Sequence, residues 1–380
     1  MIVGILGAGQ LGRMLALAGY PLGLRFRCLD PAPDAAAGQL AQLIVAPYDN
    51  AHALERLAAG AAAVTYEFEN VPLRAAEFLA AHTRVLPPPV ALATSQDRLL
   101  EKQLFTRLGI PTPAFEPVDS QDQLRAAIER VGLPAVLKSR CGGYDGKGQQ
   151  VIREAADVNA ACARVGGGGM ILEQFVSFRR ELSIVAVRGR QGGGSTTPGT
   201  PVAFYPLVEN HHRNGILALS LAPAPRLTPE LQALAEFYAT RVLDALDYVG
   251  VLAIEFFETA AGLVANEMAP RVHNSGHWTI EGAKTSQFEN HLRAILGWPL
   301  GSTEAVGSSA MVNLIGEMPD PAVLLAVPGA HLHLYGKSSR PGRKVGHVTL
   351  WEQSDEPDGE RLSRLLRQAG IGEIADRLER

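Results

Sequence analysis

Short apolar runs broken at glycine set the pattern at the start of the chain. Residues 2–7 (IVGILG) form a continuous hydrophobic stretch of strand length, followed by a glycine turn and, from about Gln10, a helix-like pattern. Comparable runs recur at 24–29, 42–46, 62–66 and 83–86, separated by stretches rich in alanine and leucine with helical spacing. Alternating strand and helix over about 90 residues predicts a parallel sheet with helices on both faces. Pro87-Pro88-Pro89 ends this block, since three prolines continue neither a helix nor a central strand.

The pattern then changes. A helix is predicted from Ser95 to Leu108, stopped by Gly109-Ile110-Pro111-Thr112-Pro113. Strands follow at 134–139, 149–153, 170–176 and 181–188, with a glycine-rich loop at 142–148. Alternation in ELSIVAV and VAFYPLV, with no long helix between them, predicts an antiparallel sheet. A helix at about 228–246 precedes a hairpin, 249–258 and 263–268, that turns at Thr259-Ala260-Ala261-Gly262. After a helix at about 284–296, a smaller region from roughly 305 has strands at 331–335 and 345–351, with helices near 320 and beyond 358. The stretch 189–201 (GRQGGGSTTPGTP) reads as a flexible hairpin tip and Gly166–Gly169 as a second soft spot. No repeat of 20–50 residues is visible. The expected division is 1–90, 91–300 and 301–380: a parallel-sheet domain, an α+β domain and a small α/β domain.

Composition narrows the class. At 380 residues, 47% hydrophobic and 19% charged, the chain is globular, with a prior of two or three domains. No run reaches the ~18 apolar residues of a membrane span, and the start lacks the basic region and cleavage site of a signal peptide. Three cysteines without CxxC spacing give neither a disulfide framework nor a zinc knuckle. A net charge of −4 with no basic run interleaved with aromatics argues against nucleic acid. A soluble, cytoplasmic protein is expected. Only six lysines occur (102, 138, 147, 284, 337 and 344), so each hints at a place that needs a compact ammonium.

Five stretches carry candidate chemistry. Gly7-Ala8-Gly9-Gln10-Leu11-Gly12, with Asp30 ending the next strand, has the dinucleotide arrangement; alone it says NAD, or merely a tight turn. Lys138 followed by Cys141-Gly142-Gly143-Tyr144-Asp145-Gly146-Lys147-Gly148 describes a flap over phosphates, or a plain glycine-rich hairpin. With the hairpin turn centred on Ala261, Glu255 and Glu267 face each other. Opposed like charges repel, so a divalent cation between them is expected, with Asn266 alongside; the alternative pairs one of them with an arginine such as Arg271. Glu258 falls on the other face and should be solvated. Pro270 to Thr279 (PRVHNSGHWT) is too polar for core. Lys337-Ser338-Ser339-Arg340-Pro341-Gly342-Arg343-Lys344 is either a solvated loop or an anion clamp.

Together, Lys138, the GGYDGKGQ loop, Glu173-Gln174-Phe175-Val176, Glu181, the Glu255/Glu267 pair and NEMAPRVHNSGHW resemble the ATP-grasp ligases. RVHNSGHWT and RPGRKVGH make the chain most similar to the 5-(carboxyamino)imidazole ribonucleotide synthetases, over nearly its whole length. The resemblance implies an ATP-grasp fold with a Rossmann-like N-terminal domain that binds no NAD. It implies ATP and Mg2+ as cofactors, a homodimer, and carboxylation of aminoimidazole ribonucleotide by bicarbonate through carboxyphosphate in purine synthesis. Arg98, Lys138 and Gly143 to Gln149 would hold the ATP phosphates, and Glu173, Gln174, Phe175 and Val176 the adenine edge. Glu181 would take the ribose, His212 would lie beside the nucleotide, and Glu255 and Glu267 would bind magnesium, with Asn266 alongside. Tyr144, Asp145, Arg271, His273, Asn274, Ser275, Lys337 and Arg343 fall to bicarbonate and the ribonucleotide, whose phosphate would lie near the opening glycine turn. The 189–201 insertion is longer than the resemblance implies. Another ATP-grasp carboxylate–amine ligase, an NAD-dependent oxidoreductase and a non-catalytic nucleotide-binding module remain as alternatives.

Overall fold

The computed structural model describes residues 1–143, 148–163, 165, 169–190, 200–354 and 358–378. Strands β1 (Ile2–Leu6), β2 (Arg25–Asp30), β3 (Gln42–Val45) and β4 (Ala61–Tyr66) form a parallel sheet in the order β3-β2-β1-β4. The fifth strand expected at 83–86 is reduced to one parallel bridge between Val85 and Val64. Pro87 to Pro89 offer no N–H groups, so the ladder stops there. The prolines also begin something. Pro89 sits in the first turn of a helix, Pro89–Gln96, where a missing N–H is harmless. Asp97 is extended and caps a second helix, Arg98–Arg107, through Leu99 N–H at 2.9 Å. The helix expected from Ser95 to Leu108 thus begins at Arg98, capped by Asp97, and the helix before it is an unexpected element.

A second, antiparallel sheet of β5 (Phe115–Val118), β6 (Ala135–Ser139), β7 (Gln149–Ile152) and β8 (Met170–Gln174) has the order β5-β8-β6-β7. The third sheet is the spine of the molecule. It comprises β9 (Arg180–Arg188), β10 (Val202–Phe204), β11 (Val208–Arg213), β12 (Ile216–Ala222), β13 (Gly250–Thr259), β14 (Gly262–Ala269), β15 (Ser308–Ile315), β16 (Ala330–Leu334) and β17 (Lys344–Glu352). Its path is β14-β13-β9-β11-β12-β15-β17-β16, with β10 beside β9, all antiparallel. The C-terminal strands thus extend the sheet that carries the hairpin. Strands β12 and β15 are buried along almost their whole length, so their sequences lack the alternation that marks a half-exposed strand.

One histidine ties the first sheet to the third. His291, on the helix Gln287–Leu296, contacts Thr65 Oγ1 of β4 through Nε2 at 2.9 Å and accepts Val251 N–H of β13 at Nδ1, 3.1 Å. Among the described residues no helix is long and apolar enough to cross a membrane, and all three cysteines are free.

Candidate active site

The three sheets converge on one cleft of about 1260 Å³. At one end its walls are apolar: Val136 and Val151 from the second sheet, Phe175, Val176, and Phe178 stacked on Phe257 with ring centroids 4.7 Å apart. Such walls accept the faces of a planar heterocycle. Lys138 on β6 points into this end and donates to Glu173 Oε2 at 2.8 Å. Glu173, expected at an adenine edge, also lines this end of the cleft. Its carboxylate is 2% exposed and lies between Lys138 and the fully buried Lys102, 3.5 Å away. Burial pushes its carboxyl up, but the two ammonium groups outweigh burial and hold it at about 2. Glu181 and His212 meet on adjacent strands, with His212 Nδ1 3.0 Å from Glu181 Oε2. Gly143, Gln149 and Gln174 also line the cleft; Gly148 does not. Tyr144, Asp145, Gly146 and Lys147 lie outside the described residues, as do 191–199 of the expected hairpin tip and 166–168 of the second soft spot.

The carboxylate pair forms as expected, by a route the sequence does not show. From the turn, Thr259 pairs with Gly262 and Phe256 with Ala265, so the turn centres between Ala260 and Ala261. Continued regularly, that register would set Glu255 against Asn266 and send Glu267 to the opposite face. The register instead shifts by one between Glu255 and Phe256, and Glu255 pairs with Glu267. Asn266 is the extra residue of a β-bulge. Glu255 is pushed up to about 7, first by burial and then by the charge of Glu267. Glu267 is held at about 2, because Arg98, donating to it at 2.9 Å, outweighs its burial. Arg271 is not its partner; it pairs with Glu69. Glu258, expected to be solvated, pairs with Arg180, which also holds Glu209. Two facing carboxylates, one poised to lose its proton near neutrality, and an Asn266 Oδ1 that is buried without a hydrogen-bond partner make an oxygen donor set suited to Mg2+.

His273 stands beside this pair, with Nε2 3.5 Å from Glu255 Oε1. Its Nδ1 faces the Ser275 N–H at 3.3 Å and Ser275 Oγ at 2.9 Å. Behind it, Ser183, Asn210 and Ser220 continue a buried hydrogen-bonded chain of 2.8–2.9 Å links. Burial, then the positive charge of Arg271 and Lys344, lowers its pKa to about 3. The ring is neutral at physiological pH, and an occupied Nδ1 leaves Nε2 to carry the proton toward the cleft. Ser275, expected to touch substrate, is fully buried and serves this chain instead. Asn274 reaches the cleft while exchanging two hydrogen bonds with Asn313.

At the far end, Lys337, Arg340, Arg343 and Lys344 line the cleft across from Gly9, Gln10 and Leu11. Lys337 Nζ contacts Gln10 Oε1, and Arg343 bonds Ser338. The glycine turn itself is filled. Gly9 and Gly12 donate their amides to Glu67 at 2.6 and 3.0 Å, and Ala8 donates to Asp30 at 2.9 Å. A Cβ at Gly9 would come within 2.5 Å of Glu67 Oε1, so glycine there admits a carboxylate of the chain, where a dinucleotide-binding turn would receive a pyrophosphate. No motif in the sequence pointed to Glu67, Glu69, Glu101 or Lys102. Only Lys102 left a signal, as one of six lysines in a chain that otherwise uses arginine.

Comparison with known proteins agrees with this geometry. Residues 1–96 match the ribonucleotide synthetase preATP-grasp domain, 103–288 the ATP-grasp domain, and 309–359 the phosphoribosylaminoimidazole carboxylase C-terminal domain. A relative from Pseudomonas aeruginosa named N5-carboxyaminoimidazole ribonucleotide synthase is 56% identical over 350 residues, covering 92% of this chain and 94% of its own length. The crystal structure of the Thermus thermophilus N5-carboxyaminoimidazole ribonucleotide synthetase superposes with a TM-score of 0.90 at 58% identity, covering 97% of this chain and 98% of that one. The Aspergillus clavatus synthase, crystallised with ADP and 5-aminoimidazole ribonucleotide, gives 0.88 at 30% identity, over 99% and 98% of the two chains.

Proposed function

This chain belongs to the N5-carboxyaminoimidazole ribonucleotide synthase family of ATP-grasp enzymes, and from that membership we propose how its cleft is used. It is an ATP-dependent carbon–nitrogen ligase that carboxylates 5-aminoimidazole ribonucleotide in purine biosynthesis. The observation that carries the residue-level reading is the single cleft with an apolar slot at one end, a carboxylate pair in the middle and four cations at the other.

ATP enters with its base between the Phe178–Phe257 wall and the Val136–Val151 floor, near Gln174, Phe175 and Val176. Glu181 and His212 receive the ribose, and Lys138, Arg98 and the 143–149 loop, with Tyr144 to Lys147, the phosphates. Glu255 and Glu267, with Asn266 alongside, would hold Mg2+, which when bound would supply positive charge to the transferred phosphoryl group. Bicarbonate accepts that group to become carboxyphosphate. His273 offers its Nε2 proton to the anion and Arg271, fixed by Glu69, its charge. Asn274 and Asp145 join the substrate side. Lys337 and Arg343 clamp the ribonucleotide phosphate in front of the glycine turn, so that its amine meets, inside the cleft, the carbon dioxide that carboxyphosphate releases together with phosphate. The division 1–90, 91–300 and 301–380, a cytoplasmic location and a homodimer complete the proposal.

The test is ADP release with and without the ribonucleotide, at ample and depleted bicarbonate, following labelled bicarbonate into product. Release that requires the ribonucleotide, with label transfer, is expected. Folded, ATP-binding protein that transfers no label at saturating substrates overturns the bicarbonate route.

A further inference from the structure

The bulge at Asn266 has an unusual support. Strand β14 is an edge of the third sheet, so its outer backbone groups have no ladder partner, and the bulge adds one more unpaired residue; all of these groups need partners from elsewhere. Here they come from one face of the helix Arg98–Arg107. Lys102 Nζ donates to Asn266 O at 2.6 Å and lies 3.3 Å from Ala265 O. Glu101 Oε1 accepts Met268 N–H at 2.7 Å, just past the bulge. Lys102 and Glu101 are almost completely buried, at 0% and 2% exposure. Arg98, one turn earlier on that helix, holds the Glu267 carboxylate at 2.9 Å. Thr112 Oγ1 adds a bond to Ala265 O at 3.0 Å. Burying a carboxyl and an amine is costly even where burial pushes the first up, to about 8, and the second down, and an ordinary packing site would be filled by apolar residues.

We propose that Glu101 and Lys102 are positioning residues that clamp the Asn266 bulge and thereby keep Glu255 and Glu267 on one face of the hairpin. Without the bulge the two carboxylates point to opposite faces and cannot share an ion. Neither residue is assigned a substrate contact in this scheme: Glu101 acts through the backbone of β14, and Lys102 does so while also pairing with Glu173. The inference rests on the reading of Glu255 and Glu267 as metal ligands, so its test must separate the two.

The experiment is Mn2+ binding to the full chain in the presence of ADP, read by the loss of the free-ion electron paramagnetic resonance signal. ADP affinity without metal is measured alongside. Glu101→Ala and Lys102→Met should weaken Mn2+ binding roughly 10–100-fold, the usual effect of removing a group that orients a metal ligand. Metal-free ADP binding should not change in Glu101→Ala; in Lys102→Met it reports separately on Glu173, which Lys102 also holds. Glu101→Gln retains a carbonyl acceptor for Met268 N–H and should bind Mn2+ nearly as the parent does. Folded Glu101→Ala and Lys102→Met proteins with parental Mn2+ affinity overturn the clamp, and so does equal weakening by Glu101→Ala and Glu101→Gln. Glu255→Gln is the control for the ligands: if it too leaves Mn2+ binding unchanged, the metal reading itself fails. Should neither clamp variant fold, hydrogen exchange of the Met268 amide in the parent protein decides: slow exchange supports the clamp, and exchange as fast as in an exposed turn overturns it.

Discussion

Two places in this molecule bury carboxylates against a strand end, with opposite results. At the glycine turn, Glu67 is met by two backbone amides and Asp30 by a third. At the hairpin, Glu255 faces another carboxylate and has the neutral His273 ring beside it, while Arg98 bonds Glu267. The first arrangement is satisfied within the chain; the second keeps oxygen atoms in want of a cation. The contrast teaches that a phosphate-binding fingerprint is a statement about backbone geometry, and what fills the geometry decides the chemistry.

The sharpest way to break the comparison is to neutralise the hairpin. Glu255→Gln or Glu267→Gln should lower ATP turnover by roughly 10²–10³-fold, the scale of losing one preorganised group at developing charge, with the fold kept. Turnover assays and circular dichroism check both halves; parental turnover in either variant would remove the metal assignment. Next in size, Glu67→Gln leaves one carbonyl for two amides, orphans one of them and should cost about 1–3 kcal/mol of stability by urea titration. Its Mn2+ affinity should be unchanged, since the two regions hold different partners.

The tie between the regions gives the pH prediction. His291 joins the strand before Glu67 to the strand that carries Glu255, and burial lowers its pKa to about 3. Unfolded histidine takes a proton near pH 6.5, so the unfolded state binds more protons between roughly pH 6.5 and 3. Stability from this group is complete above pH 6.5 and falls as the pH drops, by up to about 1.4 kcal/mol per unit across that window. Denaturation of the parent protein and His291→Gln at pH 7 and 5 should show a smaller pH loss in the variant. The smallest effect sharpens the contrast most: NAD and NADP should give no heat in calorimetry, because Glu67 already occupies the amides a pyrophosphate would need. Micromolar binding of either would return the glycine turn to its conventional reading.

Legibility in the sequence followed periodicity and burial. Strands β1, β2 and β4 stood out because a short apolar run bounded by turn residues fits little besides a buried strand. Strand β15 and the helix Gln121–Val131 did not: one is buried on both faces, and the other fully buries only Leu124 and Ala127. The Glu255/Glu267 pairing was reached through a turn centre that is off by half a residue, and a bulge supplied the missing half. Nothing local in LVANEMA encodes that bulge. It depends on Lys102, 164 residues earlier than Asn266, and such distant pairs leave no periodic trace. Ser275 shows the same limit: it sits in a polar motif, yet its neighbours Ser183 and Asn210 come from other strands and hold it in the core.

The contact between Lys337 and Gln10 joins residues 327 positions apart. A ribosome adding roughly 5–20 residues per second places them in the cell on the order of tens of seconds apart. Only towards the end of that interval, after Ala269, does the nascent chain contain its apolar slot, Lys138 and the carboxylate hairpin, still without the cations that face the glycine turn. The cations that face the glycine turn are thus the last part of the cleft to be synthesised.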